Sequence, residues 1–157
     1  MFKEMRIAID CDDAAVEFKQ AIYAHIKSKG LDIVDLNYAE GRSTSYPEIG
    51  YNLALKVQSK EFQRGILICG TGLGMAMIAN KVEGIYAGVC HDVYSAERLV
   101  KSNNAQIITM GARVIGVEAG KRIIDAWLDS EFEGGRSAPK VELMHELEKK
   151  SLTGSMK

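Results

Sequence analysis

The stretch Gly65-Ile66-Leu67-Ile68-Cys69-Gly70-Thr71-Gly72-Leu73-Gly74 joins a continuous apolar run to a turn of alternating glycines. Apolar runs bounded by glycines are typical of a parallel strand that is buried on both faces. The glycines allow a sharp turn into a helix, which we expect to start near Gly74. The stretch therefore predicts a strand, a tight turn and a helix at the centre of a parallel sheet.

The same alternation of apolar runs and helical periodicity continues on both sides of this stretch. Strands are predicted at residues 5–10, 32–36, 65–69, 85–90 and 106–110. Helices are predicted at residues 14–29, 47–59, 93–103 and 117–128, in addition to the one near Gly74. Asp13 is expected to cap the first helix and Gly30 to end it. The alternation predicts an α/β fold, a Rossmann-like three-layer sandwich with a five-stranded, mainly parallel sheet.

The chain of 157 residues has the size of one domain, so residues 1–150 are expected to form one unit and residues 151–157 a frayed tail. After a loop at residues 133–139, residues 140–150 have the pattern of an amphipathic helix. No predicted strand remains for this helix to cover. We therefore expect it to pack on a partner subunit.

Charge and composition exclude several classes of function. The 20 basic and 21 acidic residues leave a net charge of -1, so there is no basic field to hold nucleic acid or a membrane surface. No apolar run is long enough for a membrane span, and the charged first residues do not resemble a signal peptide. Three unpaired cysteines favour a reducing compartment, so we expect a cytoplasmic protein whose partners are small molecules or other protein chains.

Polar residues follow four of the predicted strands, at the sheet edge where open α/β folds bind ligands. They are residues 10–13, 69–74, 90–92 and 111–113. The turn at residues 69–74 presents backbone N–H groups to an anion at the start of a helix. It is not a Walker A motif, because no Gly-Lys-Ser/Thr follows, and Met75 replaces the third glycine of the dinucleotide fingerprint.

Cys69 lies in this turn, where a thiolate is stabilised and can act as a base or a nucleophile. A small buried apolar residue is the alternative interpretation. No Cys-x-x-Cys pair is present, so we expect no metal, and His91 is interpreted as a loop or capping residue. Arg113, Arg136 and Lys140 are each ordinary surface charges when taken singly. Together with the glycine turn, they suggest a small phosphorylated substrate.

Several motifs occur in a fixed order between Arg6 and about Glu146. They are Gly65-Ile66-Leu67-Ile68-Cys69-Gly70-Thr71-Gly72, Ala79-Asn80-Lys81-Val82, Tyr94-Ser95-Ala96, Gly111-Ala112-Arg113-Val114-Ile115-Gly116 and Glu133-Gly134-Gly135-Arg136. This set resembles the ribose-5-phosphate isomerase B and galactose-6-phosphate isomerase family of sugar-phosphate isomerases. The resemblance implies an aldose–ketose isomerase without metal or cofactor, a homodimer or a dimer of dimers with shared active sites.

The resemblance also implies roles for individual residues. Cys69 matches the base that moves a proton between C1 and C2, with the Thr71 hydroxyl beside it. Other positions match residues that hold the substrate or its enediolate: Gly70, Gly72, Gly74, Asp12, Tyr46 and, from the partner, Asn103. The positions that match phosphate ligands are Arg113 and Arg136, with Lys140 where the family often has another arginine.

The chain departs from the family at three positions where histidine is usual and Asp13, Ser102 and Ser137 stand instead. The histidine that matches Ser102 is associated with opening the furanose ring, and serine is a poor base near neutral pH. An aldotetrose 4-phosphate has no ring to open, because its remaining hydroxyls would close only rings of four or fewer atoms. Residues 95–110 and 135–138 are similar to the family branch that isomerises erythrulose 4-phosphate in erythritol breakdown.

The first interpretation is therefore the isomerisation of D-erythrulose 4-phosphate to D-erythrose 4-phosphate. The alternative is a ribose 5-phosphate or hexose-phosphate isomerase in which Asp13 or His91 opens the ring. A regulator that binds sugar phosphate without turnover is a further alternative on such a fold. The presence of Cys69 and Thr71 argues against this last one.

Overall fold

The computed structural model describes residues 4–154 and places five parallel strands in one sheet. The strands are β1 (Arg6–Cys11), β2 (Asp32–Asp35), β3 (Arg64–Cys69), β4 (Ala87–Val89) and β5 (Ile107–Gly111). Their order across the sheet is β2-β1-β3-β5-β4, and every pairing is parallel. The apolar run of the opening stretch is therefore the central strand, as its composition predicted.

The helices cover both faces of the sheet. They are α1 (Val16–Ser28), α2 (Tyr46–Gln58), α3 (Leu73–Ala79), α4 (Val93–Lys101), α5 (Val117–Leu128) and α6 (Ala138–Thr153), with a short 3-10 turn at Gly135–Ser137. One core lies between the sheet and α1, α4 and α5, and a second lies between the sheet and α2 and α3. This arrangement confirms the Rossmann-like three-layer sandwich.

The central strand serves both cores because successive side chains point to opposite faces. Ile66 and Ile68 pack beneath α1, α4 and α5, whereas Leu67 and Cys69 pack beneath α2 and α3. All four side chains are 5% exposed or less. Consequently the last side chain of β3, Cys69, faces the layer from which α2 and α3 approach.

Two helix ends differ from the predicted ones. Asp13 does not cap α1, which begins at Val16 after Ala15, without a side chain that accepts a hydrogen bond from the helix N–H groups. The turn before the helix uses Asp12 instead, whose Oδ1 accepts from the Ala14 N–H at 3.0 Å. At the other end of the chain, α6 extends to Thr153, beyond the predicted helix end at residue 150, and residues 155–157 of the predicted tail lie outside the described residues.

The last helix makes contacts within its own chain. Val141 is buried, Glu148 accepts a hydrogen bond from the Gly84 N–H at 2.7 Å, and the His145 ring meets the Tyr86 ring edge-on at 4.9 Å. The helix thus covers the segment that leads into β4. The sequence analysis did not predict this contact, because it found no strand left for the helix to cover. Leu147 remains 40% exposed. No helix of residues 4–154 has the length and apolar character that crossing a membrane requires.

Candidate active site

Three neighbouring strands end at the same edge of the sheet and bring their loops together. Cys11 at the end of β1 is paired with Ile68, and Cys69 at the end of β3 is paired with Gly111 at the end of β5. We call this the carboxyl edge. Since it is formed by adjacent strands, residues far apart in the sequence become neighbours here.

The glycine turn holds the Cys69 thiol at this edge. The sulfur accepts a hydrogen bond from the Gly72 N–H, with 3.0 Å between Sγ and N. Gly72 has a φ of +81°, and a Cβ there would lie 2.9 Å from the Met110 backbone, so both conformation and space require glycine. The Thr71 side chain is exposed, and its Oγ1 accepts from the Leu73 N–H at 3.2 Å.

The segment after β5 clamps the turn from one side. The Ala112 N–H donates to the Cys69 carbonyl at 2.9 Å, and the Arg113 N–H donates to the Gly70 carbonyl at 3.0 Å. The Arg113 side chain folds back over the turn, because a Cβ on Gly70 would lie 3.2 Å from the guanidinium Nη1. The structure therefore brings Arg113 against the predicted anion cradle.

Tyr46, the first residue of α2, contacts the turn at its other end. A methyl group on Gly74 would overlap the Tyr46 ring, so this glycine allows the ring to pack directly on the backbone. The Tyr46 side chain remains 41% exposed. The ring therefore forms a wall beside the glycine turn at Gly74 without being part of the core.

A groove of about 790 Å³ runs from this wall along the loops after β1 and β2. Its lining includes Asp12, Asp13, Lys19, Asp35 and Tyr46. Burial raises the pKa of the Asp12 carboxyl, although the Ala14 N–H and the charge of Arg113 act to lower it. The groove is thus an open space with more acidic than basic side chains, and the Tyr46 ring is its contact with the glycine turn.

The other two thiols differ from Cys69 in their surroundings. Cys11 and Cys90 pack in the core beneath α1, α4 and α5, on the other face of the sheet. Burial raises the pKa of Cys11 to about 12 and that of Cys90 to about 11. Both therefore remain protonated at neutral pH, which fits small buried apolar residues.

Three of the predicted site residues do not lie at the carboxyl edge. Asn103 follows the end of α4, and Arg136 and Lys140 belong to the segment that starts α6. This segment is tied to the end of α4, because the Glu133 N–H donates to the Lys101 carbonyl at 3.2 Å. Since α4 runs antiparallel to the strands, all three residues lie at the opposite edge of the sheet, which we call the amino edge.

Three polar side chains support the backbone of the site, a role that the sequence analysis gave to none of them. The Thr109 hydroxyl donates to the Gly72 carbonyl at 2.8 Å, His91 Nε2 accepts from the Gly111 N–H at 2.9 Å, and the two carboxyl oxygens of Asp10 accept from the Cys11 and Tyr38 N–H groups. The only signal in the sequence is a polar residue within or just after an apolar strand. Such residues are buried only when they are hydrogen-bonded.

The side chains of the described residues form no cluster of typical metal ligands. Among residues 4–154, no group of three or more His, Cys, Asp or Glu side chains is arranged to hold a metal ion. The carboxyl edge offers instead a thiol, a hydroxyl, backbone N–H groups and a guanidinium. These groups suit proton transfer and the binding of an oxyanion.

Fold and site together define a Rossmann-like α/β enzyme with a cysteine in a glycine turn. A family model described as Ribose/Galactose Isomerase matches residues 7–144. The chain belongs to this family. It is an aldose–ketose isomerase of sugar phosphates, which confirms the class that the sequence predicted.

The comparisons with individual proteins agree with the family. D-erythrulose-4-phosphate isomerase of Pectobacterium atrosepticum is 55% identical over 139 residues, which cover 88% of this chain and 91% of that protein. Ribose-5-P isomerase B of Listeria innocua is 49% identical over 147 residues, covering 94% and 99%. The solved structure of Clostridium thermocellum ribose-5-phosphate isomerase B has a TM-score of 0.88 at 41% identity, covering 94% of this chain and 99% of that one.

Proposed function

We propose that this chain interconverts D-erythrulose 4-phosphate and D-erythrose 4-phosphate, with Cys69 as the carbon base. The observation that carries the proposal is the hydrogen bond from the Gly72 N–H to the Cys69 sulfur, which aims a donor at the thiolate. The similarity to the Pectobacterium isomerase supports the choice of a tetrose phosphate. The same proposal assigns the enzyme to erythritol breakdown in the cytoplasm, where its three free thiols stay reduced.

The proposed reaction is a proton transfer through an enediolate. The Cys69 thiolate removes a proton from C1 of the ketose, the electron pair forms the C1=C2 bond, and the carbonyl oxygen on C2 takes up the negative charge. Return of the proton to C2, with loss of the hydroxyl proton on O1 and protonation of O2, gives the aldehyde. Gly70, Gly72 and Gly74 keep the turn open so that N–H groups stabilise the oxyanion.

Thr71 has the geometry to assist at the substrate oxygens. Its Oγ1 already accepts the Leu73 N–H, so its own hydroxyl proton is free to point outward. Asp12 and Asp13 border the groove in which the sugar hydroxyls would lie, and Tyr46 forms the wall of that groove. We assign these three residues to substrate binding.

The phosphate end is assigned to Arg113 together with residues of a second copy of the chain. Asn103, Arg136 and Lys140 lie at the amino edge of their own chain, where they cannot reach the Cys69 of that chain. Two apolar residues of α3, Leu73 and Met77, are 54% and 65% exposed and favour association at the carboxyl edge. We therefore propose a homodimer, or a dimer of dimers, in which each copy completes the site of the other.

The choice of a short substrate rests on Asp13 and Ser102, which replace histidines usual in the family. Loss of a positioned acid–base group typically costs a factor of about 10² to 10⁴ in rate. This cost applies only to a substrate whose ring must be opened. A tetrose 4-phosphate needs enolisation alone, so the absence of these histidines does not slow it.

A substrate panel tests the proposal. With one enzyme preparation, kcat/KM is expected to be higher for D-erythrulose 4-phosphate than for ribose 5-phosphate or a hexose 6-phosphate. Ser102→His is expected to raise the ribose 5-phosphate rate and to leave the tetrose rate nearly unchanged. A wild-type enzyme that prefers ribose 5-phosphate would overturn the tetrose assignment while keeping the isomerase chemistry.

Ribose 5-phosphate is the second candidate substrate, favoured by the similarity to the Listeria ribose-5-P isomerase B. In that case the ring is opened by a residue other than a histidine at position 102, and Asp13, which lines the groove, is the candidate that the sequence analysis named together with His91. Asp13→Asn distinguishes the two candidates. It should abolish ribose 5-phosphate turnover selectively if Asp13 opens the ring.

A further inference from the structure

His91 contacts the backbone of the site, and the sequence considered it only as a capping residue or as a ring-opening base. Its Nε2 lies 2.9 Å from the backbone nitrogen of Gly111. A backbone N–H is always a donor, so Nε2 must be the acceptor and must carry no proton. The contact therefore requires a neutral imidazole with its proton on Nδ1.

This hydrogen bond replaces a missing strand partner. β4 pairs with β5 as far as Val89 and Thr109, and the Cys90 N–H still donates to the Thr109 carbonyl at 3.0 Å. The chain then turns into α4. The next N–H of β5 that points toward β4 is that of Gly111, and it has no strand carbonyl as its acceptor. The His91 imidazole supplies the acceptor.

Gly111 is the point at which β5 touches the glycine turn. A methyl group on Gly111 would lie 2.6 Å from the Thr71 Cα, so the two backbones are in direct contact. The two residues that follow Gly111 donate to the carbonyls of Cys69 and Gly70. The segment anchored by His91 thus determines where the turn and the Arg113 side chain lie relative to each other.

We propose that neutral His91 is a positioning residue for the isomerisation. By accepting the Gly111 N–H, it sets the distance between the Cys69 thiol, which moves the proton, and Arg113, which binds the phosphate. The roles of Cys69 and Arg113 in this inference rest on the proposed function. Because its Nε2 is already occupied, His91 is not the base that opens a sugar ring.

The test compares two substitutions of His91, one without and one with a hydrogen-bond acceptor near the position of Nε2. His91→Leu removes the acceptor, and His91→Gln keeps an amide oxygen near the position of Nε2. With D-erythrulose 4-phosphate, His91→Leu is expected to lower kcat/KM by about 10- to 100-fold, as a displacement of reacting groups does. His91→Gln is expected to stay within about threefold of the wild type, since the bond that matters is restored.

The matched control is the same pair of substitutions at His25, which hydrogen-bonds Asp125 between α1 and α5. His25→Leu and His25→Gln should change Tm without changing kcat. Wild-type kcat/KM in His91→Leu would overturn the proposal. An equal loss of kcat/KM in folded His91→Leu and His91→Gln would also overturn it. If both variants lost only the turnover of ribose 5-phosphate, His91 would be a ring-opening base instead.

A measurement on the wild-type protein keeps the proposal testable if His91→Leu does not fold. ¹⁵N NMR of the imidazole should show the Nδ1-protonated tautomer at neutral pH, and the Gly111 amide should exchange slowly. The other tautomer, or fast exchange, would overturn the proposal. A wild-type protein without turnover of any sugar phosphate would overturn the proposed function instead, while the tautomer still tests the hydrogen bond.

Discussion

The two ends of β3 each have an arginine beside them, and the two arginines are held in different ways. At the amino end, the Arg64 guanidinium is partly buried and donates to the carbonyls of Trp127, in the last turn of α5, and of Ser130, just after that helix. At the carboxyl end, Arg113 is exposed and rests on Gly70, with no ion-pair partner within the described residues.

These contacts make Arg64 a structural cation and leave Arg113 free to bind a ligand. Burial lowers the pKa of Arg64, and its donors are used by the protein itself. The donors of Arg113 face solvent beside a thiol and a turn of backbone N–H groups. Of two arginines beside the same strand, only the one with unused donors can bind a phosphate.

The largest expected effect is at the carboxyl end of β3. Cys69→Ala should lower kcat by about 10³-fold or more with little change in KM, because the proton transfer occurs only in the transition state. Cys90→Ala is the control, since burial raises the pKa of that thiol to about 11. Steady-state kinetics of both variants decide the matter. Near-normal turnover in Cys69→Ala, or an equal loss in Cys90→Ala, would remove the assignment.

The two arginines should respond in opposite ways to removal of their charge. Arg113→Gln is expected to raise KM by about 10- to 100-fold, the cost of a charge-assisted hydrogen bond, with Tm unchanged. Arg64→Met is expected to lower the free energy of unfolding by about 1–3 kcal/mol, with KM unchanged. Kinetics and thermal melts of both variants are needed. A large KM effect in Arg64→Met would erase the distinction between the two ends.

Mixing two inactive variants tests whether the amino edge of one copy completes the carboxyl edge of another. Cys69→Ala and Asn103→Ala chains, allowed to exchange subunits, should recover about a quarter of the wild-type activity. Random pairing makes half of the dimers hybrids, and each hybrid has one intact site of two. If subunit exchange is demonstrated and no activity returns, the sites are not shared.

The smallest expected effect concerns two carboxyls whose pKa values are shifted in opposite directions. Burial raises the pKa of Asp12 at the site. Partial burial acts to raise that of Asp125, but hydrogen bonds from His25 and Lys29 lower it. Asp12→Asn is expected to raise Tm at pH 7, because ionising a carboxyl with a raised pKa costs stability. That gain should disappear below about pH 4, where Asp12 is protonated in both states.

Asp125→Asn should behave in the reverse manner. Its lowered pKa means that the ionised carboxyl stabilises the fold above about pH 4, and that this contribution is lost as the pH falls through the folded-state pKa. The substitution should therefore cost about 0.2–1 kcal/mol at pH 7 and little near pH 2. Melting curves across pH 2–7 check both carboxyls. The same sign of pH dependence in both variants would contradict the contrast.

Much of the fold and part of the site follow from the sequence through local rules. The strands and helices could be located because buried strands and amphipathic helices have different hydrophobic periods. The glycine turn with Cys69 could be recognised because its residues are contiguous. The start of α1 was misplaced because a polar residue before a helix, here Asp13, resembles a cap whether or not its side chain turns back to the helix N–H groups.

The sequence by itself determined the order of strands and helices, the residue types at the carboxyl edge and the family. Only the tertiary structure decided which of these residues meet. Strand pairing places Arg113 on Gly70 and Tyr46 on Gly74, and it leaves Asn103, Arg136 and Lys140 at the opposite edge. The physical reason is that such contacts depend on the register and order of the strands, which bring together residues that no local pattern connects.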